Sequence, residues 1–466
     1  MSQRPGTGEV PLRVCAVGSG PSAFYAAEAL LKAEGLDVRI DMFDRLPTPF
    51  GLVRGGVAPD HQKIKSVSKV YEKLAEDPRF RFFGNVRIGR DLDIKDLERS
   101  YHMIVWAIGC ESDNRLSIPG EELAGVHSAT EFVGWYNGHP DFRSRSFDLA
   151  RARRVAVVGN GNVAMDCSRI LLADPAVLKS TDIADHAIAT LQQSNVREVV
   201  LLGRRGPAQA AFSPKEIEEI AELEGVEVAV SAEDAALDDY SRTWLESQSR
   251  SAQRAAKFLQ ECAEKAAEAK QKRLCCRFLV APVAFEEKNG RVAAVKLQHA
   301  VLEPDRDGTP RPKPIDRFTT LEVDLVLKAV GYRGVPLPGL AFDDKKGIVA
   351  NEDGRVLTTA NGETRTGHYV VGWAKRGPTG LVGTNSPDSK ATVECMLQDL
   401  RQDRMLAAAG TDMEEHLQKK KVDFTSWQDW RRLDAHEQKE GAARGKVRHK
   451  ESSIEALMDT VRSLRG

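Results

Sequence analysis

A chain of 466 residues is long enough for two or three domains with sizeable cores. Hydrophobic residues at 41% and charged residues at 29% are ordinary for a globular protein, and 67 basic against 68 acidic residues leave a net charge of −1, which gives no sign of nucleic-acid binding. There is no apolar run near the ~18 residues of a membrane span. Residues 1–10 have neither the apolar centre of a secretory signal nor an Arg-rich transit pattern, so a cytoplasmic location is expected.

The run Leu12–Val17 is short, continuous and apolar, as a buried parallel strand requires. It feeds Gly18-Ser19-Gly20-Pro21-Ser22-Ala23, a G-x-G-x-x-A turn, and then an Ala/Leu-rich helix over residues 23–34. This is the dinucleotide-binding pattern: the first Gly for a tight turn, the second for backbone approach to a pyrophosphate, a small third residue for close helix–strand packing. A second strand, Val38–Phe43, ends at Asp44, a helical pattern covers 63–75, and further strands are expected at 79–83 and 103–108.

The same unit recurs in the middle of the chain. A strand at 155–158 leads into Gly159-Asn160-Gly161-Asn162-Val163-Ala164 and a helix over 163–172. Next come a strand at 196–202 and a helix at 216–223; the Ala/Glu/Lys/Gln-rich stretch 232–272 predicts long outer helices. Strands are expected at 274–285, 291–297 and 321–330, after which a Gly-Pro turn at 331–336 hands the chain back to the first domain. The polar C-terminal tail has Trp427 and Trp430 as expected anchors. The expected fold is α/β, two Rossmann-like dinucleotide-binding domains with the second (111–331) inserted into a discontinuous first (1–110 and 332–466).

The residues at the end of the strand after each turn separate the ligands. Asp44 can accept bonds from ribose hydroxyls and would repel a 2′-phosphate, which suits the adenosine of FAD or NAD. In the second unit the strand ends in Gly203-Arg204-Arg205-Gly206, and paired guanidiniums suit a 2′-phosphate. The expectation is FAD in the first unit and NADP(H) in the second. The seven cysteines include no C-x-x-C pair, which argues against a disulfide reductase and a thiolate metal site; no metal is expected.

From Leu46-Pro47-Thr48-Pro49-Phe50-Gly51-Leu52-Val53-Arg54-Gly55-Gly56-Val57-Ala58-Pro59-Asp60-His61 onward the chain closely resembles the adrenodoxin-reductase-type ferredoxin–NADP reductases, especially the mycobacterial and related bacterial members. Further matching runs are Phe132-Val133-Gly134-Trp135-Tyr136-Asn137, Gly203-Arg204-Arg205-Gly206-Pro207 and Gly372-Trp373-Ala374-Lys375-Arg376-Gly377-Pro378. The resemblance implies an FAD enzyme that takes hydride from NADPH and passes single electrons to a ferredoxin-type iron–sulfur protein, or runs in reverse. It places Gly18, Gly20, Ser22, Asp44, Leu52 and Val86 around FAD, with Trp373, Gly380, Leu381 and Val382 on the flavin-side loop. It places Asn160, Gly161, Asn162 and Val163 at the NADP pyrophosphate, Arg204 and Arg205 at the 2′-phosphate, and the catalytic candidates His61 and Glu216 near flavin and nicotinamide.

One departure is Asn114 where close relatives carry Arg, with Arg115 next to it as the candidate substitute. An acidic partner calls for a basic patch, for which Lys375, Arg376 and the run 419–421 are the candidates. The rival readings are an NADPH-sensing flavoprotein subunit and the flavin subunit of a larger oxidoreductase such as glutamate synthase; the latter usually has cysteine clusters before the first turn, and residues 1–14 have none.

Overall fold

The computed structural model describes residues 4–8, 10–266, 270–380 and 382–465. Leu12–Val17 is buried almost throughout because it lies inside a seven-stranded sheet. The sheet order is Asn351–Glu352, Arg355–Leu357, Thr364–Val370, Met103–Trp106, Leu12–Val17, Val38–Phe43, Phe80–Phe83. The last five of these pair in parallel, and the first two add on antiparallel. Helix Pro21–Leu31 covers one face together with Asn385–Arg401, so residues from both ends of the chain share one core.

The second sheet is wholly parallel, in the order Val126–Ser128, Leu325–Lys328, Arg154–Val158, Glu198–Leu202, Lys272–Arg277, Val226–Val230. The chain leaves the first sheet after Trp106 and rejoins it only at Asn351. On the way out and back, Ser112–Asp113 and Tyr332–Arg333 pair antiparallel, and the Asn114 amide donates to the Val330 and Tyr332 carbonyls at 3.3 and 3.4 Å. The two crossings are therefore stitched together, as an insertion requires.

Several elements differ from the sequence expectation. The expected helix at 63–75 is two pieces, Gln62–Lys65 and Ser68–Ala75. Within 232–272 the described residues form Ala232–Ala235, Asp239–Glu246 and Arg250–Glu264, each opened by a Ser or Asp side chain that accepts from a helix N–H, and the strand Lys272–Arg277 begins at its end, while residues 267–269 lie outside the described residues. Val226–Val230 and Pro310–Glu322 are strands that periodicity missed. The latter carries Pro310, Pro312 and Pro314 at alternate positions. Their missing N–H groups fall on one side of an edge strand in the ribbon Val280–Lys288, Arg291–Pro304, Pro310–Glu322, where they cost no ladder bonds.

The C-terminal tail is anchored as its tryptophans imply. Trp430 is 2% exposed and meets Phe50 edge-on at 5.6 Å, and Trp427 lies edge-on to both Phe50 and Phe82. All seven cysteines are free. No described helix is long and apolar enough to cross a membrane.

Candidate functional site

The two glycine turns share one geometry. Gly18 has φ +101°, and an added Cβ would stand 2.3 Å from the Ala107 carbonyl oxygen; Gly159 has φ +127°, and its Cβ would stand 2.3 Å from the Ala329 oxygen. In each case that carbonyl comes just after the neighbouring strand on the side where the strand order reverses, so only glycine lets the turn close there. Gly20 and Gly161 are the opposite case. A Cβ on either would meet nothing within 4 Å. Both open a helix with extended backbone and no side-chain cap, so the first-turn N–H groups have no side-chain acceptor. That combination is an anion cradle.

The contrast gives a test. Gly161→Val should leave the melting temperature nearly unchanged while NADPH binding weakens at least about tenfold, because the new side chain fills the pyrophosphate approach. Gly159→Val should instead destabilise the fold by about 2 kcal/mol or more through strain and clash. Thermal melts and NADPH titrations on both variants separate these outcomes.

Around the first turn, Asp44 accepts from the Ser19 backbone N–H at 2.9 Å, the Ser19 hydroxyl at 2.5 Å and the Leu46 N–H at 2.9 Å. Burial still pushes its carboxyl above the usual range, with those donors opposing. Further donors such as ribose hydroxyls would favour its charged form. The Val86 N–H donates to the Asp44 carbonyl at 2.9 Å. Gly51 and Gly372 bring two more segments against the turn: an added Cβ would lie 3.0 Å from Gly20 Cα and 2.0 Å from Ser22 Oγ, respectively. Thus Leu52, Ser22 and Trp373 come together with Gly18 and Gly20. Ser22 donates to Asn385 Oδ1 at 3.0 Å, and Asn385 in turn donates to the Val382 carbonyl at 3.2 Å. Trp373 tilts against Tyr332 at 5.3 Å, and Gly380 is exposed with φ +80°. Leu381 lies outside the described residues.

At the second turn, Asn162 Oδ1 accepts from the Ser213 N–H at 2.9 Å, tying the turn to the helix that carries Glu216, and Val163 lies next to it half-buried in that helix start. Asn160 Nδ2 is buried without a partner, as is the whole side-chain amide of Gln209 beside Gly206. Arg204 is exposed and Arg205 half-buried. Neither has a carboxylate within ion-pair distance among the described residues. Burial, Arg204 and Arg311 together push the Arg205 guanidinium below its usual value.

Between the turns lies a buried charged cluster. His61 Nε2 is 2.9 Å from Glu219 and 4.0 Å from Glu216, and its Nδ1 is 3.8 Å from Asp166. Arg169 donates to Asp60, Asp166 and Glu216. Burial, then the charge of Asp166, raises the Glu216 carboxyl; burial likewise raises Asp166. The ligand atoms of His61, Glu216 and Glu219 lie within 4.8 Å of one another, but Arg169 Nη1 already stands 2.9 Å from Glu216 and 3.8 Å from Glu219 as their counter-ion. Sequence reasoning found His61 and Glu216 and missed Asp60, Asp166, Arg169 and Glu219. The available signal was the i,i+3 spacing of Asp166 with Arg169 and of Glu216 with Glu219, which puts each pair on one helix face.

Other sequence candidates lie elsewhere. Lys375 and Arg376 are half-buried and both face Asp388 at 3.3 Å, and Lys375 also donates to Thr392. Lys419 and Lys420 pair with Glu415 and Asp96. Arg115 pairs with Glu122.

No family model matches the chain. The NADPH-ferredoxin reductase FprA of Mycobacterium tuberculosis is 43% identical over 459 residues, covering 96% of this chain and 98% of the relative. The mitochondrial NADPH:adrenodoxin oxidoreductase of Arabidopsis thaliana is 41% identical over 465 residues, covering 96% and 95%. The solved structure of M. tuberculosis FprA in complex with NADPH superposes with a TM-score of 0.91 at 41% identity, covering 97% of this chain and all of the other. Two uncapped cradles, each at the switch point of a sheet whose strands there run parallel, define together with these relatives a two-dinucleotide oxidoreductase. The chain belongs to the adrenodoxin-reductase-type NADPH–ferredoxin reductase family, and the sensor and glutamate-synthase readings are not favoured.

Proposed function

We propose that this chain moves electrons from NADPH through FAD to a ferredoxin-type iron–sulfur protein, or in the reverse direction, in the cytoplasm. The observation that carries the reading is the paired cradle: Gly20 and Gly161 each leave open space over a bare helix start. The residues present fit the two groups. The first cradle, Asp44, Ser22, Leu52, Val86, Trp373, Gly380 and Val382 would hold FAD; the second, with Asn160, Asn162, Val163, Arg204 and Arg205, would hold NADP(H). The domain limits proposed are 1–110 and 332–466 for FAD and 111–331 for NADP(H), meeting at the paired crossings.

FAD, when bound, supplies the two-electron to one-electron conversion that no side chain provides. The chain supplies orientation. Helix-start N–H groups hold each pyrophosphate, Asp44 accepts from ribose, and Arg204 and Arg205 select the 2′-phosphate. His61 and Glu216 lie in the buried cluster that joins the two units, where Glu216 would accept from a carboxamide and His61 would hold a proton beside it.

Anaerobic titration of the yellow protein with NADPH and with NADH tests this. Bleaching near about 450 nm should be far more efficient with NADPH. Equal efficiency would remove the role given to the arginine pair, and no bleaching with either coenzyme would end the reading.

A further inference from the structure

Arg169 is sealed into the seam between the two nucleotide units, its side chain 3% exposed. Nε and Nη2 grip both oxygens of Asp60 at 2.6 and 3.0 Å, Nη2 also donates to Asp166 at 2.7 Å, and Nη1 donates to Glu216 at 2.9 Å. Glu219 stands 3.8 Å away. Asp60 precedes His61 in the first unit, whereas Asp166, Glu216 and Glu219 belong to the second. The groups facing the imidazole are these four carboxylates, Arg169 itself, and Lys215, which pairs with Glu219 at 2.8 Å.

We propose that Arg169 is a positioning residue for hydride transfer: its planar fork ties Asp60, and so the His61 loop, to Glu216 and Asp166, fixing the spacing and charge of the cleft between the two cofactors. The inference rests on reading the two turns as FAD and NADP(H) sites. Four carboxylates around one buried imidazole repel each other, and without a counter-ion the seam must open or take up protons. Arg169 opposes both: with it in place the Asp60 carboxyl is held below its usual range, while burial still leaves Glu216 and Asp166 above theirs. A lysine would keep the charge but could not hold two carboxylates in one plane. Hydride transfer is sensitive to sub-ångström misplacement, so the fork matters beyond its charge.

Two variants of the full-length flavoprotein test this by stopped-flow reduction with NADPH across pH. Arg169→Lys keeps the charge and loses the fork. The limiting reduction rate should fall about 10- to 100-fold, the NADPH Kd should stay within about threefold, and the pH profile should not move. Asp60→Asn removes one negative charge and half of the cross-unit grip. The rate should again fall, and the profile should shift to lower pH by about half a unit to one unit, because the neighbouring groups lose a charge that favoured their protonation.

A merely structural pair would lower the melting temperature without that difference in pH profile between the two variants. Reduction within twofold of the wild type in Asp60→Asn, or a loss confined to Kd, overturns the proposal. If Arg169→Lys does not fold, Asp60→Asn decides alone. Should NADPH fail to reduce even the wild type, the cofactor reading itself falls, which is a different result.

Discussion

Replacing Arg204 and Arg205 together by alanine raises the KM for NADPH by about 30- to 1000-fold and leaves the NADH reaction as it was. The binding energy lost is about 2–4 kcal/mol, from charge-assisted bonds worth about 1.5–3 kcal/mol each, with the exposed Arg204 discounted for solvent screening. The structure explains why these two cations can give so much. They come after the buried strand Glu198–Leu202 with no carboxylate beside them among the described residues, and Arg311 adds a third like charge. A phosphate dianion relieves that crowding. Arg205, half-buried, should account for more of the effect than Arg204. Steady-state rates with ferricyanide and each coenzyme, at low and high salt, check this; salt should shrink the difference. Equal rises in KM for NADPH and NADH would mean that the pair shapes the fold and does not read the phosphate.

The parts of this site legible in the sequence are those built from neighbouring residues. A strand, G-x-G-x-x-A and a helix follow one another directly, over Leu12–Leu31 and Arg154–Leu172, and both copies stand at the reversal of strand order. Asp44 and the arginine pair were legible for the same reason: each ends the strand after its turn. The hub at Arg169 was only half legible: its i,i+3 pairing with Asp166 is local, but its partners Asp60 and Glu216 are 109 and 47 residues away and leave no pattern in the sequence. The proline-bearing edge strand Pro310–Glu322 was missed because propensity counts proline against a strand without knowing which side faces the ladder. The polar tail was read through its two tryptophans, yet ion pairs around the buried Glu437 and Lys450 also hold it.

That grip predicts the largest stability effect. Glu437, from helix Trp427–Ala443, is fully buried and takes a two-pronged bond from Arg54 at 2.8 and 2.6 Å and another from Arg448 at 3.1 Å. Nearby, Asp182 of the inserted unit accepts from Lys65 at 2.7 Å and lies 3.2 Å from Lys450, all three buried. Three parts of the chain therefore meet through two carboxylates and four cations. Asp182→Asn should cost about 3–5 kcal/mol, because two buried lysines lose their counter-ion, and Glu437→Gln should cost less, because Arg448 keeps Asp434 at 2.5 Å.

The pH dependence has a definite sign. Both carboxyls are pulled below their usual range by these cations, against the opposing effect of burial. Their contribution is therefore complete above the unfolded value near ~4 and is lost as pH falls through the lower folded value. Wild-type stability should drop steeply below about pH 4, and Asp182→Asn should show a shallower acid limb. At high pH the variant should recover part of its loss, because burial already pushes the Lys65 and Lys450 ammonium groups down and an unpaired lysine can shed its proton. Urea melts of the two proteins at pH 4, 7 and 9 measure all three limbs. Parallel curves would show that Asp182 carries no net charge coupling, and that apolar packing around Trp430 and Leu433 alone holds the tail on the first nucleotide unit.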